Sequence, residues 1–475
     1  MKQLSGSDTS FLTFEKGNTY NHVGALGIYD PATAPGGEVR FKDILAHFDV
    51  RMHSDPIFRR RLVEPPLGID RPYWVDTADF DVEFHVRHIS LPAPGDWRQL
   101  MIQVARLHAR PLDRSRPLWE IYVIGGLDHI PGLSTGCFAL FYKMHHAAVD
   151  GMASLHVISK MHTRKPERVK RPSKPQVIVT DRDPSMLEMT SRAALNHARR
   201  AVNLSRLAAD SWLKITRSLV RKTLSSDHEN PQRDQGPVPK TRFSEKVSPH
   251  RVMEGVGLPM DAIKKLRGKL DGITVNDVFL AVVSGAMRNY LVSKNELPTE
   301  SLVAMMPISL RSEASAGGNN VGIARTCLHT DIEDPLERLR ACHDSAAAQR
   351  GGDTLLNNEI PILTENLPDA ITGYLLGLMG PSMNTVVSNV RGPDQTQYLA
   401  GAELQRLYPV SIPSDHIGIN HTGVSYQRHM WLGIVSCRDM LPDPEFYAQC
   451  IRDSFNELLQ TAGLKPIKDP AFDNG

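Results

Sequence analysis

The first half of the chain alternates short apolar runs with amphipathic segments. His22 to Tyr29 and Cys137 to Tyr142 are apolar runs of strand length. Phe41 to Arg51 and Leu100 to Ala109 carry apolar residues at helical spacing. Phe80 to Val86 alternates apolar and polar residues, as a half-exposed strand does. This mixture of strands and helices predicts an α/β domain.

The composition changes after Arg164. Between Lys160 and Lys222 the chain has sixteen Lys or Arg residues against five Asp or Glu residues. A proline and lysine-rich linker is followed there by a helical pattern. At 100° per residue one stripe of the predicted helix is apolar: Leu195, Ala198, Val202, Ala209, Leu213 and Val220, with Trp212 beside it. Such a helix can lie in the surface of an anionic membrane, or it can pack its stripe on the protein and bridge two domains.

The second half again predicts strands and helices. Thr274 is a predicted N-cap, with Asp277 three residues later, for a buried helix that reaches about Ser293. Strands are predicted at Ser301 to Met306 and at Trp431 to Cys437. We therefore predict an N-terminal domain at residues 1–165, a basic linker at 166–248 and a C-terminal domain at 249–475.

Composition and charge exclude several classes of protein. With 41% hydrophobic and 23% charged residues, the 475-residue chain has an ordinary globular composition, and its net charge of +2 implies no general attraction to nucleic acid. Five scattered cysteines predict neither a disulfide framework nor a zinc site. No apolar run reaches the roughly 18 residues of a membrane span. We expect a cytoplasmic protein.

The segment Lys143 to Gly151 carries the candidate chemistry. His145 and His146 stand where the predicted strand ends, and Asp150 and Gly151 follow in a turn. A histidine at a strand end can reach into a cleft, and imidazole can take and return a proton near neutral pH. Because adjacent strand residues point in opposite directions, only one of the two histidines can face a given cleft. Asp150 is predicted to organise the loop.

The His-His-x-x-x-Asp-Gly pattern resembles the signature of the acyl-CoA-dependent acyltransferases that include chloramphenicol acetyltransferase and condensation domains. Over nearly its whole length the chain resembles, more closely, the bacterial wax ester synthase/acyl-CoA:diacylglycerol acyltransferase family. The segments that carry this resemblance are Leu4 to Glu15, Pro117 to Trp119, His145 to Gly151, Asn276-Asp277, Pro307 to Arg311, Ser388 to Pro393 and Tyr408 to Ser411.

The resemblance implies an α/β fold of two chloramphenicol-acetyltransferase-like domains, a pseudo-dimer with a central channel, joined by the basic helical linker. It assigns the catalytic base to His146, with His145 and Gly151 in the same motif, and a structural role to Asp150. Arg311 is the candidate partner of Asp150.

The resemblance also implies donors for the oxyanion that develops during acyl transfer. Asn276, Ser388, Asn389 and Gly392 are the candidates. Helix capping by Asn276, and a turn at Ser388 and Asn389, are the structural alternatives. Trp119 is a candidate wall of the substrate cleft or a core residue.

The implied substrates are acyl-CoA and a long-chain alcohol or diacylglycerol, with no metal and no cofactor. Because these substrates are apolar, we expect a peripheral association with a membrane or lipid inclusion, which the basic helix can serve; that helix can instead contact CoA phosphates. The sequence leaves the oligomeric state open.

Three residues depart from the family pattern or have no assigned role. Arg391 stands where the family commonly has proline and places a charge near the expected channel, and His416 and His421 have no counterpart in the pattern. Other hydroxyl or amine acceptors, a metal-dependent hydrolase using His145, His146 and Asp150, and a lipid-binding protein without turnover remain alternatives.

Overall fold

The computed structural model describes residues 1–52, 55–77, 80–149, 157–169, 181–224, 238–309, 321–350, 365–367 and 383–468. Two six-stranded sheets and one three-stranded sheet form its framework. The strands are β1 Lys2–Gln3, β2 His22–Asp30, β3 Arg60–Val63, β4 Tyr73–Asp76, β5 Val86–Ser90, β6 Trp119–Gly125, β7 Phe138–His145, β8 Arg251–Pro259, β9 Val303–Ser309, β10 Val321–Cys327, β11 Thr385–Arg391, β12 Tyr398–Leu399, β13 Ala402–Val410, β14 Ile419–Tyr426 and β15 His429–Cys437.

The helices cover the two large sheets and connect them. They are α1 Gly6–Thr13, α2 Phe41–Arg51, α3 Val82–His85, α4 Trp97–His108, α5 Met186–Leu224, α6 Met260–Arg267, α7 Val275–Ser293, α8 Pro335–Arg350 and α9 Pro444–Thr461. The predicted α/β class is therefore confirmed. No helix of the described residues is long and apolar enough to cross a membrane.

The first large sheet includes two strands from the C-terminal half of the chain. The first has the order β12-β13-β2-β7-β6-β5 and the second β10-β9-β11-β14-β15-β8. Strands β12 and β13 come from the C-terminal half of the chain, yet β13 pairs with β2 over seven residue pairs. The sheets also meet closely, because a Cβ atom on Gly433 of β15 would lie 1.7 Å from the Pro409 carbonyl oxygen of β13. The two halves therefore share both backbone pairing and core.

Two local predictions are corrected. Phe80 to Val86 is not a strand, because the Asp81 carboxylate accepts a hydrogen bond from Glu83 N and begins α3, so that the strand starts only at Val86. The helix predicted from Leu100 begins three residues earlier, at Trp97. There Asp96 and Gln99 form a reciprocal capping box.

The predicted N-cap of the buried helix is confirmed. Thr274 Oγ1 accepts a hydrogen bond from Asp277 N, and the Asp277 carboxylate accepts one from Thr274 N. α7 is buried on most of its circumference, as expected from its composition.

Helix α5 lies in the predicted linker, and its described residues do not fit the alternative in which the apolar stripe packs on the protein. Leu195, Ala198 and Val202 of that stripe are exposed. Another face of the helix, with Met189 and Ala193, is buried.

Candidate functional site

The two histidines lie at the end of a central buried strand. Every residue of β7 is buried, and the strand pairs with β2 on one side and β6 on the other. His145 is its last residue and lies opposite His22 of β2. His146 follows in a turn that the Ala148 N–H closes by donating to the His145 carbonyl oxygen at 2.9 Å. The predicted place of the motif is thus confirmed.

Both ring nitrogens of His145 are engaged inside the protein. Nδ1 accepts a hydrogen bond from Ala147 N at 3.0 Å, which places the ring proton on Nε2. Nε2 lies 3.0 Å from Glu15 Oε1, and the side chain of His145 is 1% exposed. His145 therefore shapes the turn and is not open to a substrate.

Glu15 joins the N-terminal segment to this turn. Its Oε2 accepts from Arg114 Nη2 at 2.6 Å, and its Oε1 accepts from Asn21 N at 2.8 Å. Burial alone would raise the pKa of Glu15, but the hydrogen bonds and charges of His145 and Arg114 outweigh it and lower the pKa to about 2. The carboxylate is therefore charged at neutral pH.

His146 is half-buried, and two residues of the N-terminal segment fix it. Its backbone N–H donates to the Asn21 carbonyl oxygen at 2.8 Å. The Phe11 ring stacks on the imidazole with a centroid separation of 3.9 Å and an interplanar angle of 17°. Asn21 Nδ2 in turn donates to the Phe11 carbonyl oxygen at 2.6 Å. α1 and the loop after it thus limit the rotation of the His146 ring.

A group of buried basic side chains lies beneath the turn. Burial holds the pKa of His22 well below its ordinary value and lowers the pKa of His108 to about 3. Burial also lowers the pKa of Lys143 to about 8, although the charge of Glu120 opposes the shift. Lys143 Nζ donates to the carbonyl oxygen of Leu107. At pH 7 the two histidines are therefore neutral, whereas Lys143 remains mostly protonated.

Three predicted site residues fall outside the described part of the chain. Asp150 and Gly151 follow the last described residue of the turn, and Arg311 lies in the undescribed segment after β9. The predicted pairing of Asp150 with Arg311 remains a prediction.

Trp119 lies in the core. Its indole is 2% exposed, its Nε1 donates to the Phe58 carbonyl oxygen at 3.0 Å, and its ring stacks on His85 with centroids 4.3 Å apart. The residue before it, Leu118, accepts the His145 N–H at 2.9 Å. The Pro-Leu-Trp segment thus supports the histidine turn through its backbone.

The capping interpretation of Asn276 is wrong. Thr274 and Asp277 satisfy the start of α7, so Asn276 is not needed as a cap. Its amide is half-buried, and Nδ2 lies 3.7 Å from the weak acceptor Met306 Sδ on β9. The Asn276 amide is therefore a donor beside β9 of the second sheet.

Ser388 and Asn389 are in a strand rather than in the turn given as their structural alternative. They lie on β11, opposite Thr422 and Gly423 of the parallel strand β14. Ser388 is half-buried, whereas Asn389 is exposed. β11 runs parallel to β9 with Val386 opposite Met305, so Ser388 follows two residues after the position that lies opposite Met305, the neighbour of the Asn276 contact Met306.

Arg391 is the last residue of β11, and Gly392 follows it. Gly392 N donates to Ser425 Oγ at 3.3 Å, so this N–H is already engaged. Arg391 forms a bidentate pair with Asp394 at 3.0 Å, and both side chains are exposed. Asp394 thus partly neutralises the charge of Arg391, and the position of this charge near the expected channel remains a prediction.

His416 and His421 have structural contacts. His416 is exposed and its Nδ1 lies 2.9 Å from the Ser244 carbonyl oxygen. His421 is fully buried between Thr385 Oγ1 at 2.9 Å and Tyr447 OH at 2.7 Å, and burial lowers its pKa to about 3.

Two family models match the chain. The wax ester synthase/diacylglycerol acyltransferase catalytic domain matches residues 4–279, and the C-terminal domain of the same family matches residues 317–459. The chain belongs to the wax ester synthase/diacylglycerol acyltransferase family. It is an acyl-CoA-dependent acyltransferase.

Curated relatives and a solved structure agree with this family. A probable diacylglycerol O-acyltransferase of Mycobacterium tuberculosis is 31% identical over 482 residues, which cover 98% of this chain and 100% of the relative. A second relative from that organism, also named for diacylglycerol O-acyltransferase activity, is 32% identical over 480 residues, which cover 97% and 100%.

The wax ester synthase/diacylglycerol acyltransferase of Marinobacter aquaeolei has a TM-score of 0.68 and 26% identity over 98% of this chain and 100% of that chain. A starter condensation domain of rhizomide synthetase has a TM-score of 0.55 and 12% identity over 98% of this chain and 95% of that one, and shows the fold alone. The predicted two-domain architecture is thus confirmed.

A cavity of about 250 Å³ opens beside the histidine turn of this acyltransferase. Its described lining is mainly apolar and combines the turn with the segment before β3 and with β4: Asp55, Ile57, Arg60, Trp74, Ala148, Val149 and Val157. The charged side chains at the cavity are paired, Asp55 with Lys160 and Arg60 with Asp76. An alkyl group is the chemistry that fits such walls.

Among the described residues, no group of three His, Cys, Asp or Glu side chains is arranged to hold a metal ion. The two ring nitrogens of His145 contact Ala147 N and Glu15, so this histidine is committed to the fold.

Sequence reasoning did not assign roles to three residues of the site. Phe11 and Glu15 lie in the segment Leu4 to Glu15 that carries part of the resemblance, and Asn21 lies just before β2. The available signal was an aromatic residue on the short helix α1 and a carboxylate four positions later, just after the helix ends. Their contacts with the histidines are made across more than 120 residues of sequence, so local patterns did not reveal them.

Proposed function

We propose that the enzyme transfers a fatty acyl group from acyl-CoA to the hydroxyl of a long-chain alcohol or a diacylglycerol, and that His146 is the general base of this reaction. The observation that carries this proposal is the unequal environment of the two histidines. His145 is tied at both ring nitrogens, whereas His146 is half-buried, stacked on Phe11 and anchored through its backbone.

In this mechanism neutral His146 takes the hydroxyl proton as the acceptor oxygen attacks the thioester carbonyl. The imidazolium then protonates the departing CoA thiolate, so that the base is restored within one turnover. No covalent acyl-enzyme forms. No cofactor is required, because acyl-CoA is itself a substrate.

The developing oxyanion is stabilised by donors of the second sheet. Asn276 supports this proposal best, because its amide faces only a weak acceptor among the contacts described for it. Ser388 lies on β11, which pairs with β9, the strand that contacts Asn276, and is half-buried. Asn389, being exposed, and Gly392, whose N–H binds Ser425, are less suited.

The apolar cavity beside the turn would hold an alkyl chain of one substrate. It is lined by Ala148 and Val149, which follow His146 directly in the turn. Because both substrates partition into lipid, the enzyme would collect them at a membrane or lipid-inclusion surface.

The experiment compares purified wild type with His146→Ala and His145→Ala. CoA release and ester are measured with palmitoyl-CoA and hexadecanol, a diacylglycerol or hexadecylamine, in the presence of lipid vesicles. We expect His146→Ala to lose about 10²–10⁴-fold in kcat while keeping its melting temperature. We expect His145→Ala to be less stable, because Glu15 and Ala147 N lose their partner.

Folded His146→Ala protein with wild-type turnover would refute the role of the base. Turnover with hexadecylamine alone would move the acceptor to amines. Lipid binding without CoA release from palmitoyl-CoA in the presence of any of the three acceptors would favour the lipid-binding alternative.

A further inference from the structure

Helix α5 is fixed to the N-terminal domain through a largely polar face. Asn196 Nδ2 donates to Gln3 Oε1 at 3.0 Å and to Asp70 Oδ2 at 2.8 Å, and lies 3.2 Å from Tyr73 OH. Arg200 Nη2 lies 3.0 Å from Asp70 Oδ1. These contacts join the helix to the small sheet of β1, β4 and β3. The helix is thus held in one rotation about its axis.

The opposite face of α5 is apolar and exposed. Leu187, Leu195 and Val202 are 80%, 60% and 50% exposed. At 100° per residue they fall within about 80° of one another, on the side away from Asn196 and Arg200. An amphipathic helix normally buries its apolar face, so this orientation is the reverse of the usual one.

The loop beside the helix extends the apolar surface. Pro66–Gly68 forms a short 3₁₀ turn in which Leu67 is 100% exposed. His197 Nε2 of α5 lies 2.6 Å from the Ile69 carbonyl oxygen, which ties this loop to the helix. Of the ten exposed large apolar side chains among the described residues, six belong to α5 and this loop: Leu67, Ile69, Met186, Leu187, Leu195 and Val202. Such a concentration marks an interaction surface.

The charge of the helix distinguishes between partners. Arg199 and Arg206 are exposed beside the apolar stripe. Over Met186–Leu224 the sequence has eight Lys or Arg residues against two Asp or Glu residues. A second copy of the helix would bring two positive surfaces together, whereas an anionic lipid surface offers both an apolar layer and opposite charge.

We propose that the exposed stripe of α5 and the Leu67 loop are the surface by which the protein docks on an anionic lipid–water interface. At this docking surface the enzyme would meet its apolar substrates. Only this link to the substrates rests on the proposed function. Docking itself requires no acyl transfer.

The test uses the full chain and sedimented vesicles. The variant Leu195→Asp/Val202→Asp places two carboxylates in the exposed stripe without touching the docked face. Val292→Asp is the matched control, because Val292 is an equally exposed valine, 50%, on α7. Vesicles of phosphatidylcholine alone and of phosphatidylcholine with phosphatidylserine provide the two surfaces.

We expect wild type and Val292→Asp to bind the anionic vesicles alike, and salt to weaken that binding. We expect the double variant to bind them about tenfold or more weakly. With substrates in detergent micelles, the double variant should keep wild-type turnover, because its changes are outside the histidine site. Melting temperature and molar mass in solution show whether each variant is folded and monodisperse.

Equal binding of the double variant and wild type would overturn the proposal. An equal loss of binding in Val292→Asp would also overturn it. A change from dimer to monomer in the double variant without loss of vesicle binding would overturn it too, and would assign the surface to a second copy of the chain. If the wild-type protein binds vesicles but shows no turnover, only the acyl-transfer function is refuted.

Discussion

Replacing Glu15 by glutamine tests the link between α1 and the histidine turn. The glutamine side chain has nearly the same shape but no charge, so it removes the ion pair with Arg114. It also places an amide against the His145 Nε2 proton in place of a carboxylate. Both effects should destabilise the folded protein and allow His145 to turn.

The magnitude follows from the pKa of Glu15. Its fall from 4.5 to about 2 corresponds to about 3 kcal/mol at 1.36 kcal/mol per unit, although burial opposes the shift. Because part of the carboxylate and half of Arg114 remain accessible to solvent, screening reduces this, and we expect a loss of about 2 kcal/mol at pH 7. The contribution is fully present above pH 4.5 and is lost as the pH falls through about 2, because the folded-state pKa is the lower one.

Urea unfolding of wild type and Glu15→Gln at pH 7, 5 and 3.5 measures the effect. The difference in unfolding free energy should be about 2 kcal/mol at pH 7 and about 1 kcal/mol smaller at pH 3.5. Glu120→Gln is the control, since this carboxylate contacts Tyr122 and Lys143 rather than a histidine. It should leave turnover unchanged. A difference that is constant with pH, or a Glu15→Gln enzyme as stable and as active as wild type, would refute the argument.

Three further changes test the site and the domain contact. Phe11→Leu should lower kcat about tenfold, because the ring that orients His146 is lost, whereas Phe11→Tyr should not; equal rates would contradict this. Val149→Trp should fill the 250 Å³ cavity and shift turnover towards shorter chains, and an unchanged chain-length profile would separate the cavity from the substrates. Burial raises the pKa of Glu254 to about 7, although Trp97 Nε1 opposes the shift, so its stability contribution is lost as the pH rises from 4.5 through 7. Glu254→Gln should therefore gain stability relative to wild type between pH 5 and 8, and a gap independent of pH would refute it.

Periodicity and capping predicted most of the elements but not their ends. β2, α2 and the N-cap of α7 were found because each pattern is long enough and has a clear start. The strand prediction for residues 80–86 is wrong because seven alternating residues are also compatible with one helical turn, and the Asp81 carboxylate caps that turn. Local patterns therefore identify the elements better than their boundaries.

The insertion of β13 into the first sheet had no local signal. Its residues read as an ordinary strand of the second half, and its partner β2 lies more than 370 residues earlier. Pairing partners at that separation are chosen by the whole core, so the sequence division at residue 249 separates segments that share a sheet.

The candidate site divides in the same way into what motifs can and cannot predict. The histidines were found because their motif is contiguous. Asn276 was found through the family resemblance, and the structure then removed its capping alternative. Glu15, Asn21 and Phe11 were not assigned, because their roles depend on a short helix folding back on the turn. Which face of α5 is exposed also depended on tertiary contacts, since Asn196 and Arg200 determine its rotation.

The insertion of β13 into the first sheet connects the two parts of the proposed site. The proposed base, His146, follows a strand of the first sheet, whereas the proposed oxyanion donor, Asn276, lies on α7 beside β9 of the second sheet. β13 pairs with β2, which pairs with the histidine strand β7. After residues 411–418 the chain enters β14, which pairs with β11, the strand of Ser388. Separating the two halves of the chain would break the β13–β2 ladder, and separating the two sheets would expose the close contact of Gly433 with Pro409. Two backbone ladders and the chain segment between β13 and β14 thus connect the strand of the proposed base with the strand next to the proposed oxyanion donors.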